Sequence, residues 1–236
     1  MTYTHELRDA AGFEKQQEML AKLSIEQPTI VDVGGNVGQS IAGYLELFPT
    51  ARIHSFEPHP DAFSKMKARY AGREQIRIEP LALGNTCGDA TFYAAELSEV
   101  SSLLPPDPMV VARSSNSTYS NRQIQVPVDT LDRYCGRTQT EHIHILKIDV
   151  QGAELDVLEG AKGLLSEGQV DLLFVEVMFA ANYSGQSYLD DIWRLLKAHE
   201  YVLWDLFPFL HTRAGRLWTG NAIFASPTAA QTLDPD

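Results

Sequence analysis

Cysteine is scarce in this chain of 236 residues: Cys87 and Cys135 are the only two. They lie far apart, with no C-x-x-C spacing. That excludes a disulfide framework and a zinc site, and leaves two free thiols. Positive charge is also short. Nineteen Lys and Arg face 31 Asp and Glu, for a formal net charge of −12. No basic run offsets it, so a phosphate backbone is repelled and nucleic acid is a poor partner. No apolar run approaches the roughly 20 residues of a membrane span. The N-terminal stretch MTYTHELRDAAGFEKQQEML lacks the apolar core of a secretory leader. These absences predict a cytoplasmic protein with no membrane partner.

What is present is an alternation of strand and helix patterns. Residues 1–26 read as an N-terminal helical segment, with the helix over 5–23. Then TIVDV reads as a buried strand, and Gly38 to Phe48 as a helix stopped by Pro49. RIHSFEP, DAFSKMKARYA and IRIEPLALG follow as strand, helix and strand, with Asp61 as a plausible N-cap. The pattern then changes. TFYAA and QIQVPV read as strands around a Ser/Pro/Asn-rich loop over 98–121, and TLDRYC starts a short helix. Loops this long are usually functional or mobile, so a lid is expected here. IHILKIDV, AELDVLEGAKGLL, VDLLFVEV and SYLDDIWRLLKAHE resume the alternation. YVLWDL and NAIFAS close it with no helix between them, and residues 227–236 look like a disordered tail. The pattern predicts an α/β domain over 27–226. Its sheet should be mostly parallel and covered on both faces, with an antiparallel strand at one edge.

In such sheets ligands sit at the carboxyl ends of strands, where strand order reverses. The first turn reads Asp32-Val33-Gly34-Gly35-Asn36-Val37-Gly38. A dinucleotide loop needs G-x-G-x-x-G, and Val33 stands where its first glycine belongs. A P-loop needs G-K-S/T, which is absent. Asp32 would repel a pyrophosphate but suits a cationic head group. Glu57, 25 residues on, ends the second strand, where an acid accepts from ribose hydroxyls. Either acid alone is more often a cap. Together with the glycines they suit S-adenosylmethionine, a nucleoside carrying a sulfonium in place of phosphates.

The motifs VDVGGNVGQS, SFEPHP, ALG, SSL, VPVDTLD, LKIDVQGAELDVLEGA and DLLFVEV run in order from about residue 27 to 225. In them the chain resembles the FkbM family of class I S-adenosylmethionine-dependent methyltransferases. The resemblance implies a seven-stranded, Rossmann-like three-layer sandwich. It implies cofactor contacts from Asp32, Gly34, Gly35, Asn36, Gly38, Ser40, Glu57, Pro58, His59, Ala82, Leu83, Ser102 and Asp149. It also implies O-methylation of a hydroxyl on a natural product, sugar or glycan. Gln151 departs from the family pattern, which has Glu there.

Methyl transfer is an in-line displacement, so holding nucleophile and methyl in line supplies much of the catalysis. A hydroxyl still needs a base or a metal ion. Asp149, Glu176 and Glu154 are the candidates. Asp149 and Glu176 are also possible ligands for Mg²⁺, which favours oxygen donors. Asp149 and Glu154 equally suit the start of a helix. Lys147 shares a strand face with Asp149 and should pair with it. His142 and His144 fall at the far end of that strand and read as structural. His211 reads as a surface histidine near the substrate opening, and Asn182 to Tyr188 should edge the pocket. The rival readings are a nitrogen or nucleic-acid acceptor, and a decayed cofactor-binding scaffold. The net charge and the lack of an Asn/Asp-Pro-Pro-Tyr/Phe motif oppose the first.

Overall fold

The computed structural model describes residues 5–113, 122–212 and 214–235. It opens with α1 (His5–Lys22), β1 (Thr29–Val33), α2 (Gln39–Leu47), β2 (Arg52–Phe56), α3 (Pro60–Arg69) and β3 (Ile76–Glu79). A second set follows: β4 (Ala82–Leu83), β5 (Gly88–Ala94), a 3₁₀ turn at Ser98–Val100, α4 (Pro108–Arg113), β6 (Arg122–Asp129) and α5 (Leu131–Thr138). Alternation then returns with β7 (Ile143–Ile148), α6 (Glu154–Glu159), α7 (Lys162–Ser166), β8 (Val170–Met178) and α8 (Leu189–Ala198). The chain ends on β9 (Val202–His211), β10 (Leu217–Ala225) and α9 (Pro227–Leu233).

Seven strands form one sheet in the order β3-β2-β1-β7-β8-β10-β9. The pairs among β3, β2, β1, β7 and β8 are all parallel. β10 runs antiparallel to both β8 and β9, so the reversed strand lies one in from the edge. Burial explains this placement. Ala222, Ile223, Phe224 and Ala225 of β10 are fully buried, whereas Val202 and Leu206 of β9 are exposed. The more apolar strand of the hairpin takes the interior position.

Side chains alternate across the sheet and feed two cores. Val31, Val33, Leu146, Ile148 and Val175 pack under Tyr134, Leu158, Leu165 and Ile192 of α5, α6, α7 and α8. Ile30, Ile53, Ile145 and Leu172 pack under Leu20, Ile41, Met66 and Ala229 of α1, α2, α3 and α9. Helices thus cover both faces. The N-terminal helix belongs to this core: Phe13 stacks on Tyr44 with ring centroids 4.4 Å apart, and the Tyr44 hydroxyl donates to buried Gln16.

Three expectations need correction. IRIEPLALG is not one strand. Pro80 ends the ladder, since it has no N–H to donate. β3 stays in the main sheet and β4 joins a three-stranded sheet, β4-β6-β5. The stretch AELDVLEGAKGLL is two helices that meet at Gly160 and Ala161, and Gly160 lies against the Gly84 carbonyl where no side chain fits. The supposed tail is α9, capped by the Ser226 hydroxyl, which accepts from the Ala229 N–H at 3.2 Å. Pro227 occupies the first turn, where its missing N–H costs nothing. Within the predicted loop, residues 98–113 carry the 3₁₀ turn and α4 and bridge to Tyr93 and Tyr183 through Ser102 and Pro106, and 114–121 lie outside the described residues.

The glycine turn is the tightest contact between sequence and fold. Gly34 has φ +84°, and its N–H donates to the Phe56 carbonyl at 3.0 Å. A Cβ there would strike the Asp149 carbonyl. Gly34→Ala is therefore expected to cost about 3 kcal/mol or more, from left-handed strain plus the clash. Urea unfolding measures this, and an unchanged midpoint would show that the turn can relax.

Candidate active site

The strand order reverses between β1 and β7. From β1 the chain proceeds outward to β2 and β3, then returns to place β7 on the other side. The loops leaving β1 and β7 part in opposite directions and open a crevice. An open cavity lies there, with about 770 Å³ of empty space including its mouth. Its walls come from the glycine turn, the end of β2, β4, the end of β7 and an insert after β5, the described part of the predicted loop, 98–113.

Glu57 closes the β2 side. It is 6% exposed. Its Oε2 accepts from the Asn36 N–H and its Oε1 from the His59 N–H, both at 2.7 Å. These two donors fix the carboxylate plane. Burial pushes its pKa up to about 7, against the pull of the two N–H groups. The Asn36 side chain accepts from Ser98 Oγ at 2.7 Å, which ties the glycine turn to the insert.

Among the predicted cofactor residues, Gly34, Asn36, Ser40, Glu57, Pro58, Ala82, Leu83 and Asp149 line this cavity. Asp32, Gly35, Gly38, His59 and Ser102 do not, and each stands one layer behind. Gly35 gives room to Ser55, and Gly38 to Tyr70, whose hydroxyl donates to the Gly38 carbonyl at 2.6 Å. The His59 ring bonds to the Ala95 carbonyl at 3.3 Å, while its backbone N–H holds Glu57. Ser102 Oγ donates to the Gln151 carbonyl at 2.8 Å. Asp32 is fully buried and accepts from Ser55 Oγ at 2.9 Å. Lys147 Nζ lies 3.6 Å from Asp32 and 3.5 Å from Asp149. Burial pushes the Asp32 carboxyl upward, and the Lys147 ammonium opposes it. The charge of Asp32 is thus met by Lys147 rather than offered directly to a ligand.

The three candidate acids separate. Asp149 is on the cavity wall, with its side chain 19% exposed. Glu176 is 2% exposed and accepts from Thr219 Oγ1 at 3.0 Å and from Gln151 Nε2 at 2.7 Å. Glu154 is fully buried, and its Oε1 accepts from the N–H groups of Val150 and Gly152 at 3.1 and 3.0 Å. It clamps the turn after β7, and neither Glu154 nor Glu176 lines the cavity, which leaves Asp149 as the one predicted catalytic acid on its wall. Burial pushes the Glu154 pKa up to about 7.

Gln151 was readable only as a departure from a motif. Its Nε2 donates to Asp149 Oδ1 at 2.9 Å as well as to Glu176. An amide nitrogen has no lone pair for a cation and fills the space between the two acids. The Asp149–Glu176 pair therefore does not fit Mg²⁺ while Gln151 stands there. At the opposite end of β7, His142 Nε2 lies 3.0 Å from Asp171, and His144 Nδ1 accepts from the Thr29 N–H at 2.9 Å. Among the described residues, His142, His144 and Asp171 are the group spaced to hold a metal ion. The bond to Thr29 already uses the His144 lone pair. The Asn182–Tyr188 turn buttresses the site: the Tyr183 hydroxyl lies 3.2 Å from Gln151 Oε1, and Ser187 Oγ donates to the Gly152 carbonyl. His211 is exposed at the end of β9. Sequence reasoning did not single out Phe92 of β5 or Ser98 and Glu99 of the predicted lid, which wall the cavity together with Ser101. Only the SEVSSL stretch in an otherwise loop-like segment hinted at them.

A doubly wound sheet, a glycine turn after β1 and an acid closing β2 are the arrangement of the class I methyltransferase fold. Three carboxylates line the cavity, Glu57, Glu99 and Asp149, against the ammonium of Lys147, a balance that suits a cationic ligand. The family described as "Methyltransferase FkbM domain" matches residues 32–203, and the chain belongs to it. It is 26% identical over 206 residues to 2-O-methyltransferase NoeI of Sinorhizobium fredii, covering 83% of this chain and 82% of that protein. It is 24% identical over 173 residues to hexuronic acid methyltransferase AglP of Haloferax volcanii, covering 72% and 64%. A solved FkbM methyltransferase from Methylobacillus flagellatus KT shares the fold, with TM-score 0.55 and 17% identity. The match covers 85% of this chain and 44% of that one. Magnesium protoporphyrin IX methyltransferase from Synechocystis PCC 6803 matches with TM-score 0.50 and 10% identity, covering 96% and 86%. Among the described residues, no helix is long and apolar enough to cross a membrane.

The clamp role of Glu154 has a distinct signature. Glu154→Gln keeps the acceptor for both N–H groups and is expected to bind S-adenosylhomocysteine within about twofold of wild type. Glu154→Ala strands two buried donors and should cost about 1–3 kcal/mol. The raised pKa sets the sign with pH: the native stabilisation is full below the ordinary carboxyl pKa and is lost as pH rises through about 7. Wild type should therefore lose stability relative to Glu154→Gln between pH 5 and 8, on the order of 2 kcal/mol. Urea unfolding at both pH values checks this, and parallel pH profiles would contradict it.

Proposed function

We propose that the protein transfers a methyl group from S-adenosylmethionine to a hydroxyl of a small-molecule or glycan acceptor. The observation that carries this is the Asp149 carboxylate on the cavity wall, beside the glycine turn and held by Lys147 and Gln151. Two relatives support the acceptor class by name, a 2-O-methyltransferase and a hexuronic acid methyltransferase. The acidic cavity and the net charge of −12 favour such an acceptor over nucleic acid.

Bound S-adenosylmethionine supplies a methyl group made electrophilic by its sulfonium. The chain supplies the rest. Glu57 offers its remaining lone pairs to the ribose hydroxyls, and the glycine turn lets the backbone approach closely. The carboxylates lining the cavity favour a cationic ligand over a neutral one. Asp149 accepts the acceptor hydroxyl's proton as its oxygen attacks, a role that asks for hydrogen-bond reach to that oxygen. Lys147 keeps Asp149 oriented, and Asp32 keeps Lys147 in place. The insert, with Ser98, Glu99, Ser101 and Leu103 on the cavity wall, is the lid that excludes water.

Two experiments test this reading. Calorimetry with S-adenosylhomocysteine should show Glu57→Ala weakening binding at least about tenfold. Because ribose recognition needs the ionised carboxylate, wild-type affinity should fall below pH 7, approaching about tenfold per pH unit. Glu57→Gln should flatten that dependence. A flat wild-type profile would remove Glu57 from the cofactor site. Second, methyl-labelled cofactor and a panel of hydroxylated sugars and natural products should reveal turnover that Asp149→Asn abolishes. Cofactor affinity should stay within about threefold. Full activity in that variant would move the base elsewhere.

A further inference from the structure

Gln151 is held more firmly than a cavity-lining side chain needs to be. Its φ is +59°, a left-handed conformation that costs a non-glycine residue about 1 kcal/mol or more. Its carbonyl accepts from Ser102 Oγ at 2.8 Å. Its Nε2 donates to Asp149 Oδ1 at 2.9 Å and to Glu176 Oε2 at 2.7 Å, and its Oε1 meets the Tyr183 hydroxyl at 3.2 Å. Each part of the residue therefore has a fixed partner.

The nitrogen is the informative atom. It lies within hydrogen-bond distance of two carboxylates, Asp149 just past the end of β7 and Glu176 on the neighbouring β8. Two acids converging on one point at the wall of a cavity is an arrangement that binds a hard divalent cation through oxygen. Here the point is filled by an NH₂ group. It carries two hydrogens and no lone pair, so it serves one hydrogen to each carboxylate, and each carboxylate accepts. The amide satisfies both acids and fixes their spacing without bringing a charge. The ammonium of Lys147, 3.5 Å from Asp149 Oδ2, supplies the positive charge on the other side of that carboxylate.

The geometry points to Gln151 as a positioning residue that replaces a bridging divalent cation: its amide braces Asp149 against Glu176, and the reaction centre needs no metal ion. The role of Asp149 rests on the function proposed above. The claim about cation binding does not, and it is read without any methyl transfer.

The probe is Mn²⁺, titrated into the full chain with S-adenosylhomocysteine present and followed by the paramagnetic resonance of the free ion. Wild type is expected to show no saturable binding below about 1 mM. Gln151→Glu places a third carboxylate at the junction with nearly unchanged shape. Gln151→Ala removes the amide and leaves the two acids facing an open space. Both variants are expected to bind Mn²⁺ at least about tenfold more tightly than wild type, and Asp149→Asn added to either should abolish the gain. Should the extra charge prevent Gln151→Glu from folding, the alanine variant carries the test alone. Saturable sub-millimolar binding by wild type that Asp149→Asn removes would overturn the proposal. So would variants that bind Mn²⁺ no better than wild type. A chain that fails to transfer methyl groups would sink the proposed function and leave the Mn²⁺ result standing.

Discussion

The ammonium of Lys147 on β7 lies between the carboxylate of Asp32 on β1 and that of Asp149 just past β7, and this end of the cavity is arranged around it. Asp32 and Lys147 are buried, and of the two acids only Asp149 lines the cavity. Taking charges out of water is expensive, and an apolar trio of similar volume would stabilise the fold as well or better. What the ionic version supplies is direction. In the β1–β7 register Asp32 lies directly beside Lys147, and two residues on from Lys147 the face returns with Asp149. The pairing thus fixes where Asp149 stands relative to the glycine turn. Removing the ammonium would leave two carboxylates repelling in a low-dielectric site, with one of them forced to take a proton.

That dependence runs outward in two directions. Through Asp32 it reaches Ser55, Gly35 and Met66, so the glycine turn is packed on the same acids that hold the lysine. Through Asp149 it reaches Gln151, Glu176 and Thr219, and so the reversed strand β10. β10 contributes Thr219 only because it inserts beside β8; had the hairpin placed β9 there instead, Glu176 would have lost that partner. The position of the reversed strand, which hydrophobicity decides, is thereby a condition on the chemistry.

Most of the fold was legible because strands and helices here keep their hydrophobic periods, and because the glycine turn has few other uses. The failures share a cause. IRIEPLALG reads as one apolar run, and nothing local says that its two halves enter different sheets. Gly160 looks like an ordinary helical glycine until Gly84 is brought against it from 76 residues away. α9 carries a serine cap and a first-turn proline, signals outweighed by a polar, proline-containing end. For the site, residue types at strand ends pointed to the right crevice. Their layering did not show. Asp32 and Glu154 are acids at the expected positions, but one faces a lysine and the other two backbone N–H groups. Only packing decides which acid meets the cavity.

Gln151 shows how a substitution of one atom can matter where three polar groups converge. An oxygen in place of its nitrogen would set three acceptors at one point with no donor among them. That arrangement requires a proton or a metal ion. The nitrogen instead supplies two donors to two acceptors and leaves nothing over. The left-handed turn at residue 151, the Ser102 contact from the insert and the Tyr183 contact from the turn after β8 all hold that side chain at the junction. The insert therefore both walls the cavity and braces the residue that aligns its acid. Ser102 and Gln151 thus join the insert to Asp149 by two consecutive hydrogen bonds.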